Sequence, residues 1–301
     1  MTKDNSINEY IVPFDGSFEV ARATTLPPDG TPSRKQLKRE LKETVRELRE
    51  LQRRLYAGDQ YGVLLIFQAM DAAGKDGTIR SVLTGVNPAG CQVSSFKQPS
   101  AEELDHDFLW RTSRKLPERG RIGVFNRSYY EEVLVVKVHP EYLSGQQLPG
   151  LPADPEKLWS TRYASIRAHE EHLARNGMVI LKFWLNISHA EQGRRFLDRI
   201  DEPSKHWKFS AGDVRERGYW NDYMSAYERA VNETSRSWAP WYAIPADDKP
   251  FMRLQVAKTI VARLRELVLE YPVLPAEEVE EMRLLREQVE TSITVGPSVA
   301  P

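Results

Sequence analysis

The 301 residues allow one large domain or two small ones, and their composition (41% hydrophobic, 28% charged) is typical of a soluble globular protein. A net charge of −1 argues against nucleic-acid binding by the chain as a whole. The chain has no apolar run near the ~18 residues of a membrane span, no signal-peptide pattern, and a single cysteine. These features predict a cytoplasmic protein with neither nucleic acid nor membrane as a partner.

The first 34 residues are interpreted as an N-terminal arm, because they are rich in Pro, Asp and Thr and show no periodicity. Such a segment is expected to lie on the surface. Ser33 and Gln36 then match a capping box, in which both side chains satisfy N–H groups at a helix start. Apolar residues recur at steps of three and four from here, so an amphipathic helix is predicted to end near Gly58.

Five apolar segments then alternate with helical patterns. The predicted strands are 63–67, 91–96, 121–126, 178–186 and 241–246. The predicted helices cover about 75–86, 101–115, 155–175, 188–200, 213–235 and a last segment up to Leu269. Apolar strands separated by helices imply parallel pairing with both sheet faces buried. We therefore expect one α/β domain, residues 35–270, with a parallel sheet of about five strands and helices on both sides.

The remaining C-terminal segment, residues 271–301, has a different pattern. Val279, Met282, Leu285 and Val289 recur at helical spacing among many acidic residues. This spacing predicts a final helix that packs on the body or on another subunit. The closing TVGPSVAP is predicted to be disordered.

The segment FQAMDAAGKDGTIRSVL, residues 67–83, follows the first strand and opens a helix. It is close to the phosphate-binding pattern G-x-x-x-x-G-K-[ST], but Ala69 replaces the first glycine and Asp76 replaces the hydroxyl residue. In such a turn, N–H groups converge on an anion that the helix dipole also favours. The predicted phosphate-binding residues are Ala73, Gly74, Lys75, Asp76 and Gly77. The lysine would contact the phosphoryl group being transferred.

The missing hydroxyl removes the usual side-chain ligand for Mg²⁺ in this loop. Magnesium prefers oxygen ligands, commonly one or two carboxylates together with phosphate oxygens and water. Asp71, inside the loop, is the predicted replacement ligand. Asp76 either contributes to the metal or only interacts with the helix dipole. The alternative for the whole loop is a plain strand-to-helix turn.

A second polar motif, NRSYYEE at residues 126–132, follows the third predicted strand. Ligands of open α/β sheets bind beyond the carboxyl ends of the strands, where this motif lies. Asn126 stands where a P-loop enzyme usually carries a metal-binding acid, and Arg127 is able to clamp a phosphate. Glu131 or Glu132 would hold a second metal or face the acceptor. The alternative is an ordinary Arg–Glu network on the surface.

Residues 194–217 form a basic segment with five acids interspersed. Its basic side chains are Arg194, Arg195, Arg199, Lys205, Lys208, Arg215 and Arg217. Taken alone, such a segment is most simply a solvated helix–loop face.

Four segments together resemble the polyphosphate kinase 2 family. They are DAAGKDGTI at 71–79, FNRSYYEE at 125–132, RRFLDRIDEPSKHWKFS at 194–210 and PWYAIPADDK at 240–249. They occur in the family's order, and the resemblance covers roughly residues 35–270. Members transfer phosphoryl groups between inorganic polyphosphate and nucleotides with Mg²⁺. The resemblance implies a three-layer P-loop kinase-like fold, similar to thymidylate kinases, with a helical lid at about 194–218.

The resemblance also implies roles for individual residues. The implied catalytic residues are Asp71, Lys75, Asn126 and Arg127. The implied lid contacts to polyphosphate are Arg199, Lys205 and Lys208. Polyphosphate carries about one negative charge per phosphate, so a basic channel suits it, and by analogy with nucleic-acid backbones its binding should weaken steeply with salt.

Many members carry FNRSWYNR where this chain has FNRSYYEE, so Glu131 and Glu132 replace Asn and Arg. The acidic form is implied to accompany members that phosphorylate AMP as well as ADP. An acid at this place is able to recruit another metal. Glu131 is therefore predicted as a metal ligand beside Asp71 and as a nucleotide contact. Arg127 and Asp222 are the other predicted nucleotide contacts.

The predicted activity is Mg²⁺-dependent, reversible phosphoryl transfer between polyphosphate and AMP, ADP or guanine nucleotides, with Mn²⁺ as an alternative metal. Transfer to an anionic phosphate oxygen needs positioning and charge neutralisation rather than a strong base. The alternatives are an ATP-dependent nucleoside monophosphate kinase and a non-catalytic regulator that binds polyanions or nucleotides. The expected partners are polyphosphate, purine nucleotides and further copies of the chain in a dimer or tetramer.

Overall fold

The computed structural model describes residues 9–295. Within this range one sheet contains β1 Gly62–Gln68, β2 Cys91–Ser95, β3 Ile122–Asn126, β4 Met178–Asn186 and β5 Trp241–Pro245. The spatial order is β2-β3-β1-β4-β5, and every neighbouring pair is parallel. The predicted five-stranded parallel sheet is confirmed.

Helices precede, connect and follow the strands. They are α1 Arg34–Gly58, α2 Lys75–Val82, α3 Ala101–Leu104, α4 Trp110–Ser113, α5 Val135–Val138, α6 Pro155–Arg175, α7 His189–Asp201, α8 Ala211–Glu216, α9 Trp220–Thr234, α10 Lys249–Glu266 and α11 Ala276–Val295. The predicted capping box at the start of α1 is confirmed, because the Ser33 and Gln36 side chains each accept from the other residue's N–H group. α2 is shorter than predicted and ends at Val82.

Helices cover both faces of the sheet. All seven residues of β1 and eight of the nine in β4 are buried, so side chains pointing to either face are removed from water. α10 packs on α1 and α2, whereas α6 packs on β4 and α9. This is the three-layer α/β arrangement expected from the sequence.

Two predicted helices are interrupted. The segment 101–115 contains only the short α3 and α4, because Asp107 accepts a hydrogen bond from the Leu109 N–H at 2.9 Å and begins a new turn. The segment 213–235 contains part of α8 and all of α9, separated by a 3-10 turn at Arg217–Tyr219. That turn contains a glycine, which is a poor helix former.

The described part of the N-terminal arm lies largely on the surface, and its beginning is joined to the sheet. Ile11 forms an antiparallel bridge with β5, and the Val12 N–H donates to the Trp241 carbonyl at 2.9 Å. Tyr10 and Val12 are buried. The physical reason is that the edge strand β5 has unpaired backbone groups, which the arm satisfies. Residues 1–8 lie outside the described residues.

A first compact unit ends at Leu269, and a second begins at Glu270. The second contains α11, the predicted final helix, whose packing on a partner stays a prediction. The predicted disorder of TVGPSVAP is wrong at its first two residues, because the helix continues through them and the Thr294 hydroxyl donates to the Glu290 carbonyl. Residues 296–301 lie outside the described range. Across residues 9–295, no helix combines the length and apolar character required to cross a bilayer.

Candidate active site

The loop between β1 and α2 presents backbone N–H groups at the carboxyl end of β1. Ala72 and Gly74 adopt left-handed conformations, with φ of 63° and 106°. Gly74 is the N-cap of α2 and has no side chain to bond the first N–H groups of the helix. The residues from Gly74 to Gly77 line a cleft. Free N–H groups and the positive end of a helix dipole form an anion site there.

Lys75, the first residue of α2, folds its side chain back over the loop. Its Nζ donates to the Ala69 carbonyl at 2.7 Å and lies 4.0 Å from Asp71 Oδ1. Burial and the nearby Arg127 guanidinium lower the pKa of Lys75 to about 8, against the attraction of neighbouring carboxylates. An anion bound in the cleft would therefore favour the charged form of this lysine.

Arg127 follows β3 and reaches the loop because β3 lies beside β1. Phe67 of β1 is in register with Asn126 of β3, and the Arg127 N–H donates to the Phe67 carbonyl at 3.0 Å. The guanidinium donates from Nη2 to Asp71 Oδ1 at 2.5 Å and from Nη1 to Glu131 Oε2 at 2.8 Å. Arg127 thus joins the two predicted motifs in one ion-pair network.

The charges of this network stabilise one another. Burial opposes ionisation of Asp71, but Arg127 and Lys75 outweigh it, so the pKa of Asp71 lies below its usual value. The carboxylate of Glu131, followed by that of Asp71, raises the pKa of Arg127 despite the cost of burial. Lys75, Asp71 and Arg127, here called the floor of the cleft, are therefore charged at neutral pH before any ligand binds.

A buried network supports the turn that carries Glu131. The hydroxyls of Tyr129 and Tyr130 donate to Glu170 Oε1 at 2.9 and 2.8 Å, and Lys182 donates to Glu170 Oε2 at 2.6 Å. These four side chains are at most 1% exposed, so their mutual hydrogen bonds replace water. Sequence reasoning did not identify this network. The available signal was a lysine in the middle of an apolar strand, since a buried charge requires a partner.

Arg195 on α7 fixes the loop from another direction. Its Nη1 donates to the carbonyls of Ala72 and Ala73 at 3.2 and 2.7 Å. Its Nη2 donates to the carbonyls of Ala246 and Asp247 at 2.6 and 3.1 Å. The side chain is 5% exposed, so it binds the end of β5 to the loop rather than extending into solvent.

The predicted lid, at about 194–218, contains most of α7, residues 202–210, α8 and the beginning of the turn that follows it. Arg199 Nη1 donates to Asp213 Oδ2 at 3.2 Å, and Lys205 forms an ion pair with Glu202. The Lys205 and Glu202 side chains are 40% and 50% exposed. Two of the predicted polyphosphate contacts are therefore paired with acids of the lid itself.

These elements enclose a cleft of about 760 Å³. Among the described residues, ten Lys or Arg and four Asp side chains line it, which gives this surface a formal charge of +6. The basic residues are Lys75, Arg80, Lys97, Arg127, Arg195, Arg199, Lys205, Lys208, Lys249 and Arg253. Since the whole chain has a net charge of −1, positive charge is concentrated at this one place.

The structure brings most of the predicted site residues together. Those that line the cleft are Asp71, Gly74, Lys75, Asp76, Gly77, Asn126, Arg127, Arg199, Lys205 and Lys208. Asn126 Nδ2 donates to Asp76 Oδ1 at 2.7 Å and holds the two motifs side by side. Ala73 is fully buried. Four further basic residues line the cleft that were not among the predicted site residues, namely Arg80, Lys97, Lys249 and Arg253. Arg80 and Lys249 lie within the quoted segments 67–83 and 240–249, whereas Lys97 and Arg253 lie in no motif.

Three predicted residues, Ala73, Glu131 and Asp222, lie outside the cleft lining. The Glu131 carboxylate accepts from Gln68 Nε2 at 2.9 Å on one oxygen and from Arg127 on the other. Asp222 is exposed in the first turn of α9. Their positions give no support to the predicted metal and nucleotide contacts, which stay predictions. The observed contact of Glu131 orients Arg127.

The residues present fit a magnesium ion at Asp71. Within the described part of the chain, no group of three or more His, Cys, Asp or Glu side chains is arranged to hold a metal. Asp71 lines the cleft and uses Oδ1 to accept from Arg127. A single carboxylate combined with phosphate oxygens and water is typical Mg²⁺ coordination, so the substrate would supply the remaining ligands.

Comparison with known proteins agrees with the resemblance seen in the sequence. The family model described as polyphosphate kinase 2 matches residues 31–270. An ADP-polyphosphate phosphotransferase from Rhodopseudomonas palustris is 56% identical over 249 residues, which cover 83% of this chain and 86% of the relative. An AMP/ADP-polyphosphate phosphotransferase from Meiothermus ruber is 43% identical over 270 residues, which cover 88% of this chain and 96% of the relative.

A solved structure gives the same result at the level of the fold. The crystal structure of polyphosphate kinase 2 from Arthrobacter aurescens has a TM-score of 0.85 and 38% identity, and the match covers 93% of this chain and 96% of that one. The predicted P-loop kinase-like fold is thereby confirmed. Because the family model spans most of the chain, the chain belongs to the polyphosphate kinase 2 family.

Proposed function

We propose that the chain transfers terminal phosphoryl groups reversibly between inorganic polyphosphate and the adenine nucleotides AMP and ADP, with Mg²⁺ as the metal and Mn²⁺ as a substitute. Phosphoryl transfer between polyphosphate and nucleotides is the activity of the family, and this chain is an enzyme of that kind. The observation that carries the proposal is the cleft of charge +6, formed by ten basic and four acidic side chains around an N–H anion site.

The anion site holds the phosphate that is transferred. Backbone N–H groups from Gly74 to Gly77 donate to its oxygens, and the α2 dipole adds attraction. Lys75 releases the Ala69 carbonyl and turns toward the phosphate, since a phosphate oxygen is a stronger partner than a carbonyl. The lysine is already beside the site, so little rearrangement is required.

Arg127 supplies the second fixed cation. Glu131 and Asp71 hold its guanidinium at the junction of the two motifs, where it contacts oxygens of the donor and acceptor phosphates. Its ion pairs keep it in one orientation before the substrates bind. The role of Glu131 in this proposal is to position Arg127.

A bound Mg²⁺ would supply neutralisation of charge on the phosphate oxygens. Asp71 is the residue that would hold it, because its carboxylate is ionised and lies in the cleft. Asp76 accepts a hydrogen bond from Asn126, which fixes the loop to β3.

The transfer step requires no base. An oxygen of the nucleotide phosphate attacks the terminal phosphorus of polyphosphate, a new P–O bond forms, and the bridging P–O bond to the next phosphate breaks. The shortened polyphosphate takes the electron pair. Transfer to ADP exchanges one phosphoanhydride for another, so it runs in both directions according to concentrations.

The acceptors are proposed from the relatives. The Rhodopseudomonas palustris relative is named for ADP, and the Meiothermus ruber relative is named for both AMP and ADP. The FNRSYYEE sequence carries the acidic form implied for acceptance of AMP. Assembly into a dimer or tetramer and a cytoplasmic location stay predictions.

The test is to incubate the full chain with polyphosphate and AMP, ADP, GMP or GDP separately, with Mg²⁺, Mn²⁺ or EDTA. Chromatography of the nucleotides should show ADP and ATP formed in a metal-dependent manner. A parallel reaction with ATP as the donor and no polyphosphate tests an ordinary monophosphate kinase. Efficient transfer from ATP alone, or binding of polyphosphate without any nucleotide product, would contradict the proposal.

A further inference from the structure

Two side chains near the start of α7 hold three successive carbonyls of the loop between β1 and α2. Gln192 Nε2 donates to the Asp71 carbonyl at 3.0 Å. Arg195 donates to the next two carbonyls, those of Ala72 and Ala73. The backbone of the loop is therefore fixed to the helix from which the lid starts, and not only to its own strand and helix.

These carbonyl contacts also orient the N–H groups of the loop. In a planar trans peptide, the C=O group and the N–H group of the next residue point in opposite directions. The N–H groups of Ala72 and Gly74 therefore point away from the α7 side chains, and both residues line the cleft. Because Ala72 has a φ of 63°, which residues with a Cβ rarely adopt, the turn depends on contacts that hold it in place.

Gln192 is bound at its other end by the far end of the lid. Its Oε1 accepts from Arg217 Nη1 at 2.9 Å. Arg217 begins the 3-10 turn that follows α8, and its Nη1 also donates to the His189 carbonyl at 2.6 Å. A Cβ at Gly193 would lie 3.2 Å from Arg217 Nη2, so the glycine lets the guanidinium approach α7 closely. The beginning and the end of the lid thus meet at Gln192.

The chemistry of its two partners fixes the orientation of the Gln192 amide. A guanidinium only donates hydrogen bonds and a backbone carbonyl only accepts them, so the amide is unable to exchange its two ends. The residue is 1% exposed, so water does not replace either partner. Loss of one partner would leave a buried polar group unsatisfied, which is costly. Arg217 therefore keeps the donor end of Gln192 directed at the Asp71 carbonyl.

We propose that Gln192 is a positioning residue for phosphoryl transfer, which holds the Asp71–Ala72 peptide in its catalytic orientation and couples this loop, through Arg217, to the end of the lid. The proposal rests on the proposed function, because the loop is assigned there to the transferred phosphate. Gln192 does not line the cleft, so it acts through the loop. The cations that bind the substrates stay in place without it, so its loss should change kcat rather than KM.

The first measurement is the steady-state kinetics of two Gln192 variants, expressed per folded molecule. Gln192→Leu removes both hydrogen bonds at similar side-chain size, and kcat should fall about 10²-fold, the effect of a small displacement in an active site. The KM values for polyphosphate and ADP should stay within about threefold of wild type. Gln192→Glu still accepts from Arg217 but is unable to donate to the Asp71 carbonyl. Its kcat should fall by a similar factor, which assigns the effect to the loop contact.

The second measurement is hydrogen exchange of residues 68–76 in the chain without substrates, read by mass spectrometry. Exchange should rise in both Gln192 variants, because the loop loses one of its anchors. Arg217→Ala should raise it as well, since the amide is then free to turn away from the loop. In a double-mutant cycle, Arg217→Ala should lower kcat far less in the Gln192→Leu background than in the wild-type chain.

Gln52→Leu is the matched control. Gln52 is also 1% exposed and lies on α1 outside the cleft. Among the described residues, its amide has no hydrogen-bond partner. The substitution makes the same change of shape and polarity without removing a hydrogen bond, so kcat and the exchange of the loop should stay as in wild type.

Three results would overturn the proposal. One is a kcat in Gln192→Leu within about threefold of wild type. Another is unchanged loop exchange in the Gln192 variants. The third is additive loss of kcat from Gln192→Leu and Arg217→Ala, which would show that Arg217 acts independently of Gln192. Failure of the proposed function would look different: the wild-type chain would form no nucleotide product, whereas loop exchange would still respond to the Gln192 variants.

Discussion

The floor of the cleft and its lid hold positive charge in different ways. On the floor, Lys75 is 10% exposed and bonded to a backbone carbonyl, and Arg127 lies between two carboxylates. In the lid, Lys205 is 40% exposed and paired with an acid that is 50% exposed, although Arg199 is only 20% exposed. Exposed pairs contribute little free energy and are readily exchanged, whereas buried charges are fixed by their surroundings. The floor is therefore suited to the chemical step and the lid to holding a variable chain.

The sharpest test of this difference is Lys75→Ala. We expect a loss of about 10³-fold or more in kcat, because a preorganised cation beside the transferred phosphate contributes only when it is in place. The measurement is the rate of ADP and ATP formation at saturating polyphosphate. The midpoint of thermal unfolding should be recorded alongside, since a folded but inactive variant is required. Turnover close to wild type would show that the floor lysine has no part in the reaction.

The next effect concerns pH. Lys75 in the free enzyme is charged below pH about 8 and neutral above it, so kcat/KM for polyphosphate should fall as the pH rises through about 8. Bound phosphates raise the lysine pKa, so kcat should fall at a higher pH than kcat/KM. The pKa of Lys182 is also lowered to about 8, by burial and by Arg236, so a control is needed.

Arg127→Gln provides this control. Arg127 lowers the pKa of Lys75 and is not among the groups that lower the pKa of Lys182. The fall in the residual kcat/KM should therefore move to higher pH in this variant. A fall that stays in place would assign the titration to a group other than Lys75.

The smallest effect is expected from the lid. Lys205→Gln and Lys208→Gln should raise the KM for long polyphosphate by about two- to fivefold each, the value of an exposed charge contact, and leave the KM for the nucleotide unchanged. Arg194→Gln is the matched control, because Arg194 is a lid cation that is 65% exposed and does not line the cleft. A large loss of kcat in either lysine variant would contradict the proposal that the floor serves the chemical step and the lid only binds the chain.

Much of the fold and of the floor could be predicted because their signals are local. An apolar run defines each strand, and the spacing around Lys75 and Arg127 places both at the carboxyl ends of strands. The partner of a buried charge is not local. Lys182 is visible in the sequence as an anomaly, but its pairing with Glu170 depends on how α6 packs on β4. Arg80 and Arg253 face one cleft only because α2 and α10 pack together.

The bridge between Ile11 and β5 gives the two edges of the sheet different properties. The arm covers part of the β5 edge with backbone hydrogen bonds and buries Tyr10 and Val12. At the other edge, Val93 of β2 is 51% exposed. An uncovered edge is able to pair with a strand from another molecule, so the arm protects the chain from aggregation by strand addition on the β5 side. Removing the arm would expose a template for misassembly, even though none of the arm residues from 9 onwards lines the cleft.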